Sequence, residues 1–222
     1  MQEPDATVHR ESLRALRNIA GPGQVPALLQ LVLQASTPSD RREATQTLAS
    51  VLKRSESARI DGVISAYQNV NAIPARLALL EVMGQSSKEE ALPVLRGSLE
   101  NSAPEIARAA VLALSEWSTP APLADLLAVA RSQSNPALQV LALRGYLKLM
   151  ALPSKRPAAE SANMLSQAMQ LARQPAERRT ILSLLPLFPC KESLQIAEGA
   201  TKDEHVAKEA AAAVEQIRSP LR

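Results

Sequence analysis

The sequence predicts an all-α fold: a right-handed superhelix of about six helical hairpins, preceded by one unpaired helix. Three observations predict it. Apolar residues recur at spacings of three and four along the whole chain, and strand-like alternation is nearly absent. Clusters of Pro, Asn, Asp and Ser interrupt that pattern at intervals suited to short helices, about thirteen in all. The pattern also repeats. Arg10, Arg42, Arg76 and Arg108 follow one another at steps of 32, 34 and 32 residues, a period that accommodates two helices.

The repeat can be read in columns. A further step of 32 reaches Val140, and steps of 39 and 29 lead on to Arg179 and Lys208; the longer one holds the insertion LPSKRPAAES. Six places after each anchor stand Leu16, Leu48, Val82, Leu114, Tyr146, Leu185 and Val214, all apolar. Two places after it stand Ser12, Ala44, Ala78, Ala110, Ala142, Ile181 and Ala210, nearly all small. Nine places after it, Trp117 shares a column with Ile19, Val51, Gln85, Leu149, Phe188 and Ile217. Offsets two, six and nine fall on one face of a helix, so Trp117 is predicted to be core. The small column lets neighbouring helices approach closely.

In chain order, the first helix presents Arg10, Arg14 and Arg17 on one face, and GPG at 21–23 ends it in a turn. TPSD at 37–40, SAP at 102–104, STPAP at 118–122, SNP at 134–136 and RQPAE at 173–177 read as helix starts, with a capping residue and a proline in the first turn. Five places before the anchors stand Asp5, Thr37, Asn71, Ala103, Asn135, Gln174 and Asp203, most of them good N-caps. The intervening helices VPALLQLVL (25–33) and LPVLRGSL (92–99) each carry an early proline, which either sits in the first turn or bends the helix. The 222 residues read as one domain, 1–222, and their abrupt entry into helix suits a piece of a longer protein.

A period of 32 to 34 also suits tetratricopeptide repeats, but their aromatic scheme is missing. NPALQVLALRGYLKL (135–149) and APEIARAAVLALSEW (103–117), with cap, basic anchor, small column and early proline, resemble HEAT repeats of the short bacterial variety. The resemblance implies an armadillo-type solenoid, a fold that also occurs in bacterial multidomain proteins beside catalytic or haem-bearing domains.

Composition agrees with thin inter-helix layers. There are only four aromatics, Tyr67, Trp117, Tyr146 and Phe188, and prolines are scattered without a low-complexity tract. Lys and Arg number 25 against 22 Asp and Glu, a mild basic bias. The single Cys190 excludes an intrachain disulfide, no apolar run is long enough to span a bilayer, and the opening MQEPDATVHRESL lacks a signal-peptide core. The compartment stays open.

No motif points to catalysis, a metal or a cofactor. His9 and His205 stand at opposite ends of the chain, and no His-Glu pair occurs. Cys190 heads a helix in LFPCKES without a signature for a base, Glu89 and Glu90 head a helix where they favour its dipole, and nucleotide-binding loops are absent.

Two binding readings remain. The first is a protein-interaction scaffold that uses its inner helices. Offsets zero, four and seven form one stripe there, and its middle is expected to present Leu80, Met83 and Leu112 beside Arg76, Arg108 and Arg144. The partner would be another protein, or an attached domain of the same polypeptide. The opposing reading is that the arginines bond capping residues of neighbouring repeats and the leucines are half-buried. The alternative function is nucleic-acid binding through Arg10, Arg14, Arg17, Arg41, Arg42, Lys53 and Arg54; it lacks the exposed aromatics that base recognition wants.

Overall fold

The computed structural model describes residues 6–132 and 135–221, with side chains from residue 11 onward. Asp5 and the side chains of His9 and Arg10 therefore lie outside the described residues. Thirteen α-helices and no strand occur among the described residues. They fall into two compact units, Met1–Ser118 and Thr119–Arg222.

The first unit holds α1 (Ala6–Ile19), α2 (Val25–Gln34), α3 (Pro38–Arg54), α4 (Asp61–Asn69), α5 (Ile73–Ser86), α6 (Leu92–Ser98) and α7 (Pro104–Ser115). α2 with α3, α4 with α5, and α6 with α7 form the hairpins, while α1, α3, α5 and α7 pack on one another in series. Each such layer buries its apolar side only against the next, which is the packing order of an α-solenoid.

Prolines set the starts. Pro38, Pro74 and Pro104 sit in the first turns of α3, α5 and α7, where a missing N–H costs nothing. The Thr37 hydroxyl accepts from Asp40 N–H at 3.1 Å and caps α3. Pro26 and Pro93 likewise occupy the first turns of α2 and α6, so neither bends its helix. GPG differs from expectation. It forms a 3-10 turn, Pro22–Gln24, that leads into α2.

A row of hydrogen bonds joins successive repeats at the C-terminal ends of the inner helices. Arg54 donates to the carbonyls of Arg17 (2.8 Å) and Ala20 (2.6 Å). Lys88 Nζ donates to those of Ser55 (2.9 Å) and Glu56 (3.2 Å). Ser118 N–H donates to Ser87 Oγ at 3.0 Å. The C-terminal turns of α1, α3, α5 and α7 thus lie side by side, and these four helices run parallel. Gly84 of α5 meets Ala113 of α7 so closely that a Cβ would come within 2.5 Å of the Ala113 Cα.

The second unit holds α8 (Leu123–Arg131), α9 (Pro136–Met150), α10 (Ala158–Leu171), α11 (Pro175–Leu184), α12 (Lys191–Ala200) and α13 (Ala207–Leu221). α8 pairs with α9, α10 with α11 and α12 with α13; α9 packs on α11, and α11 on α13. With α1, the two units account for one unpaired helix and six hairpins. Asn135 caps α9 by accepting from Leu138 N–H at 3.1 Å. The insertion is an extended, largely exposed passage at 152–157 ahead of α10.

The core columns lie where the repeat places them. Leu48, Val82, Leu114, Tyr146 and Leu185 are fully buried, as are Ala44, Ala110, Ala142, Ile181 and Ala210. Trp117 is buried at the end of α7. Burial of Tyr146 away from solvent pushes its phenol up to about 12. Three members of the nine column depart: Ile19 is exposed, and Gln85 and Phe188 are only half-buried.

The expected surface stripe requires a correction. Leu80, at offset four, and Met83, at offset seven, are fully buried, and the other offset-seven residues in the middle of the chain, Ala49, Ser115 and Leu147, are buried too. The reason is that α5 packs against α3 on one side and α7 on the other, and also against α2, α4 and α6. A helix enclosed on several sides buries residues that a one-sided helical wheel assigns to solvent.

Candidate functional site

In the first unit an open groove of about 910 Å³ crosses α3, α5 and α7. Its apolar part is Leu77 and Ala78 of α5 with Ala109, Leu112 and Ala113 of α7. Leu112 is 41% exposed, unusual for a leucine in mid-helix here, and it is exposed because its neighbours across the groove are short or polar. Pro38 and Pro74 mark the end of the groove formed by the helix N-termini, and Gln85 and Glu116 mark the other.

Arg42 and Arg108 are exposed on the groove wall, and neither has an ion-pair or hydrogen-bond partner among the described residues. Arg41, beside them, is occupied. Its guanidinium donates to the carbonyls of Val32 and Ala35 and closes the end of α2. Thr45 is occupied too, its hydroxyl donating to the Arg41 carbonyl at 2.7 Å. Towards the other end, Glu81 accepts from Gln85 Nε2 at 2.9 Å, so its charge has no cationic partner in that bond.

The other predicted residues separate. Arg76 does not line this groove. Its guanidinium carbon lies 4.6 Å from the centre of the Tyr67 ring, beside a second, smaller hollow shared with Pro93, Ser98 and Asn101. Tyr67 and Ser98 exchange a hydroxyl hydrogen bond of 2.7 Å there. Arg144 belongs to the second unit, where it donates to Gln174 Oε1 at 3.2 Å and lies 3.9 Å from Glu177. Of the six residues predicted, then, the structure brings Arg108 and Leu112 together.

Sequence reasoning missed Leu77, Glu81, Gln85 and Arg42 as neighbours of that pair. Arg42 carried a signal, being the anchor of its own repeat. The others follow from the rotation of α5, which turns Leu77, Glu81 and Gln85 into the groove while α7 turns Arg108, Leu112 and Glu116. Relative to the anchors Arg76 and Arg108, the two helices differ by about one residue position.

The basic N-terminal helices are largely satisfied internally. Arg14 pairs with Glu11 at 2.6 Å and Glu43 at 3.4 Å, and Arg17 with Glu43 at 2.8 Å and Gln46 at 2.7 Å. Arg54 and Arg41 are held by backbone carbonyls, as above. Among the described residues there is no group of three or more His, Cys, Asp or Glu able to hold a metal ion. Cys190 caps α12, its sulfur accepting from Ser193 N–H at 3.4 Å. No helix among the described residues is long and apolar enough to cross a membrane.

Residues 60–144 match the family model for HEAT repeats, a stretch that takes in α5 and α7 of the groove. No curated protein matches the chain.

Proposed function

We propose that this chain binds another protein through the groove across α3, α5 and α7: residues 60–144 match the family model for HEAT repeats, which are generally non-catalytic scaffolds for protein interaction. One observation carries the reading: Leu112 is exposed in a groove whose lining also holds Arg42 and Arg108, neither of which has an ion pair or hydrogen bond among the described residues. Arginine is a favoured energetic anchor at protein interfaces, and an exposed leucine on the same surface adds apolar contact.

The test is site-specific photo-crosslinking in the cell of origin. A photoreactive residue at position 112 is expected to trap a discrete protein, and one at the exposed Gln30 of α2 is not. Leu112→Glu should abolish the association without changing the circular dichroism spectrum. Equal trapping at both positions, or an association indifferent to Leu112→Glu, would overturn the groove as the binding surface.

A further inference from the structure

The smaller hollow, between α4, α5 and α6, has no residue in common with the groove, and it holds an arginine whose donors are unmet. Its volume is about 400 Å³, and Arg76 is the only charged residue in its lining, which contains no carboxylate. The ring beneath that arginine is fixed. Tyr67 is buried, and Ser98 Oγ gives its one proton to the Val94 carbonyl at 2.8 Å, so the Tyr67 hydroxyl is the donor in the 2.7 Å bond to Ser98. The Arg76 guanidinium carbon, 4.6 Å from the centre of the ring, is held in one place by that contact. Arg76 Nε is buried and has no hydrogen-bond partner among the described residues. Nη1 and Nη2 have none there either, and they are not among the buried atoms, so they are open to whatever enters the hollow.

We propose that this hollow is a carboxylate-binding site: it takes a carboxylate carried on a short apolar body, with Arg76 Nη1 and Nη2 donating to the two carboxylate oxygens. The planar fork of a guanidinium matches a carboxylate edge to edge, and such charge-assisted pairs are the strong hydrogen bonds. Stacking on a fixed ring means that the fork is already oriented, so little freedom is lost on binding. Charge selects the class of anion. A single guanidinium balances the single charge of a carboxylate, whereas a phosphate monoester carries about −1.5 to −2 and would stay partly unneutralised. Asn101 supplies a further donor: its Oδ1 accepts from Ala103 N–H at 3.0 Å, which leaves the side-chain Nδ2 for the ligand. The rest of the wall suits the body of the ligand. Pro93 and Val94 are apolar, and a Cβ added at Gly97 would meet nothing within 4 Å, so the hollow is open there. A free short-chain acid and the C-terminal residue of a peptide present this same chemistry.

The experiment titrates isovalerate into the full, isotopically labelled chain at constant ionic strength. NMR follows the Arg76 Nε–H, the Asn101 side-chain amide and the Gly97 N–H. Saturable shifts are expected at all three, and none with isovaleramide, which has the same shape and no charge. Arg76→Gln should weaken binding by about tenfold or more. Gly97→Phe should do the same with Arg76 intact, by filling the hollow. Gly97 lies in α6, no described glycine has a positive φ, and there is open space for a side chain, so this variant is expected to fold. If Arg76→Gln disturbs the fold, Gly97→Phe and the neutral amide decide the matter. Shifts that do not saturate, equal shifts with isovaleramide or inorganic phosphate, or an affinity unchanged in either folded variant would each overturn the site. A short peptide ending in valine, with its terminus free or amidated, then identifies the source. Tighter binding of the free-ended peptide than of isovalerate assigns the site to a chain terminus, and the reverse order assigns it to a free acid; binding of the amidated peptide as tight as that of the free-ended one overturns the carboxylate.

Discussion

The inner helices of the two units use the same kind of residue in opposite ways. In the second unit each arginine near the anchor is committed to the next repeat. Arg144 reaches Gln174 and the buried Glu177, Arg178 pairs with Asp203 at 2.6 Å, and Arg179 pairs with Glu209 at 3.0 Å while donating to the His205 carbonyl at 3.0 Å. Gln174 is the N-cap of α11, whereas Asp203, expected to cap its helix, lies in the turn ahead of α13 and accepts from His205 N–H, so these arginines fix the approach to the neighbouring inner helix. In the first unit Arg17 keeps this habit through Glu43 and Gln46, and Arg41 ties back to the end of α2, but Arg42 and Arg108 have no such partner among the described residues. One scaffold thus holds arginines that tie repeats together and arginines left facing a groove. The difference teaches that the basic anchor is not in itself a binding signal; what matters is whether a cap of the next repeat has claimed it.

The comparison assumes that the two cores are equivalent, and the largest effects test that. Trp117 and Leu149 share a column and are both buried. Trp117→Ala is expected to cost about 3–5 kcal/mol and Leu149→Ala about 2–5 kcal/mol, read from urea unfolding. A tryptophan variant as stable as the parent would mean that the ring is not core. Next in size is Gly84→Ala, whose added methyl would overlap the Ala113 backbone. It should destabilise the chain by about 1–3 kcal/mol, because α5 and α7 must move apart, and it should reshape the groove they line.

Much of this was legible in the sequence, for definable reasons. Register and core follow from residue type at a fixed period, so Ala44, Ala110 and Ala142, Leu48 and Leu114, and the caps Thr37 and Asn135 stand where the columns place them. Leu80 and Met83 were not legible, because a wheel drawn for one helix does not count its neighbours, and α5 is enclosed by several. Arg76 went to Tyr67 because α5 is rotated relative to α7, and a rotation of one residue position leaves no trace in a column of aligned anchors. The groove itself is assembled from three helices.

Smaller effects sharpen the claim that the arginines of the second unit are structural. Glu177 is buried and accepts from the N–H groups of Arg173 and Gln174, each at 3.2 Å, at the start of α11. Glu177→Ala should cost about 1–2 kcal/mol by leaving those donors unpaired. Asp203 adds a pH signature. The His205 N–H and then the Arg178 guanidinium hold its carboxyl below the usual carboxylate range. A carboxyl depressed in the folded state contributes stability that is present above its unfolded value and lost as pH falls through the folded one. Thermal melts should therefore show a loss on acidification below about pH 4 that is reduced in Asp203→Asn. An identical acid limb in that variant would remove Asp203 from the account.

The smallest effect is the most informative about the first unit. Arg42→Ala and Arg108→Ala remove exposed side chains that hold nothing among the described residues, so each should change stability by less than about 0.5 kcal/mol. Arg178→Ala should cost more, because it strands the Asp203 carboxylate and the Ala172 carbonyl, which accepts from Arg178 Nε at 3.2 Å. Comparing these variants in one urea series decides whether the contrast between the units is real. If Arg42→Ala or Arg108→Ala proved as costly as Arg178→Ala, those arginines would be structural ties as well, and the groove would lose the unpaired charge on which its binding role rests. If they are neutral while abolishing association, their place on the groove is explained by a partner, since nothing in the fold needs them there.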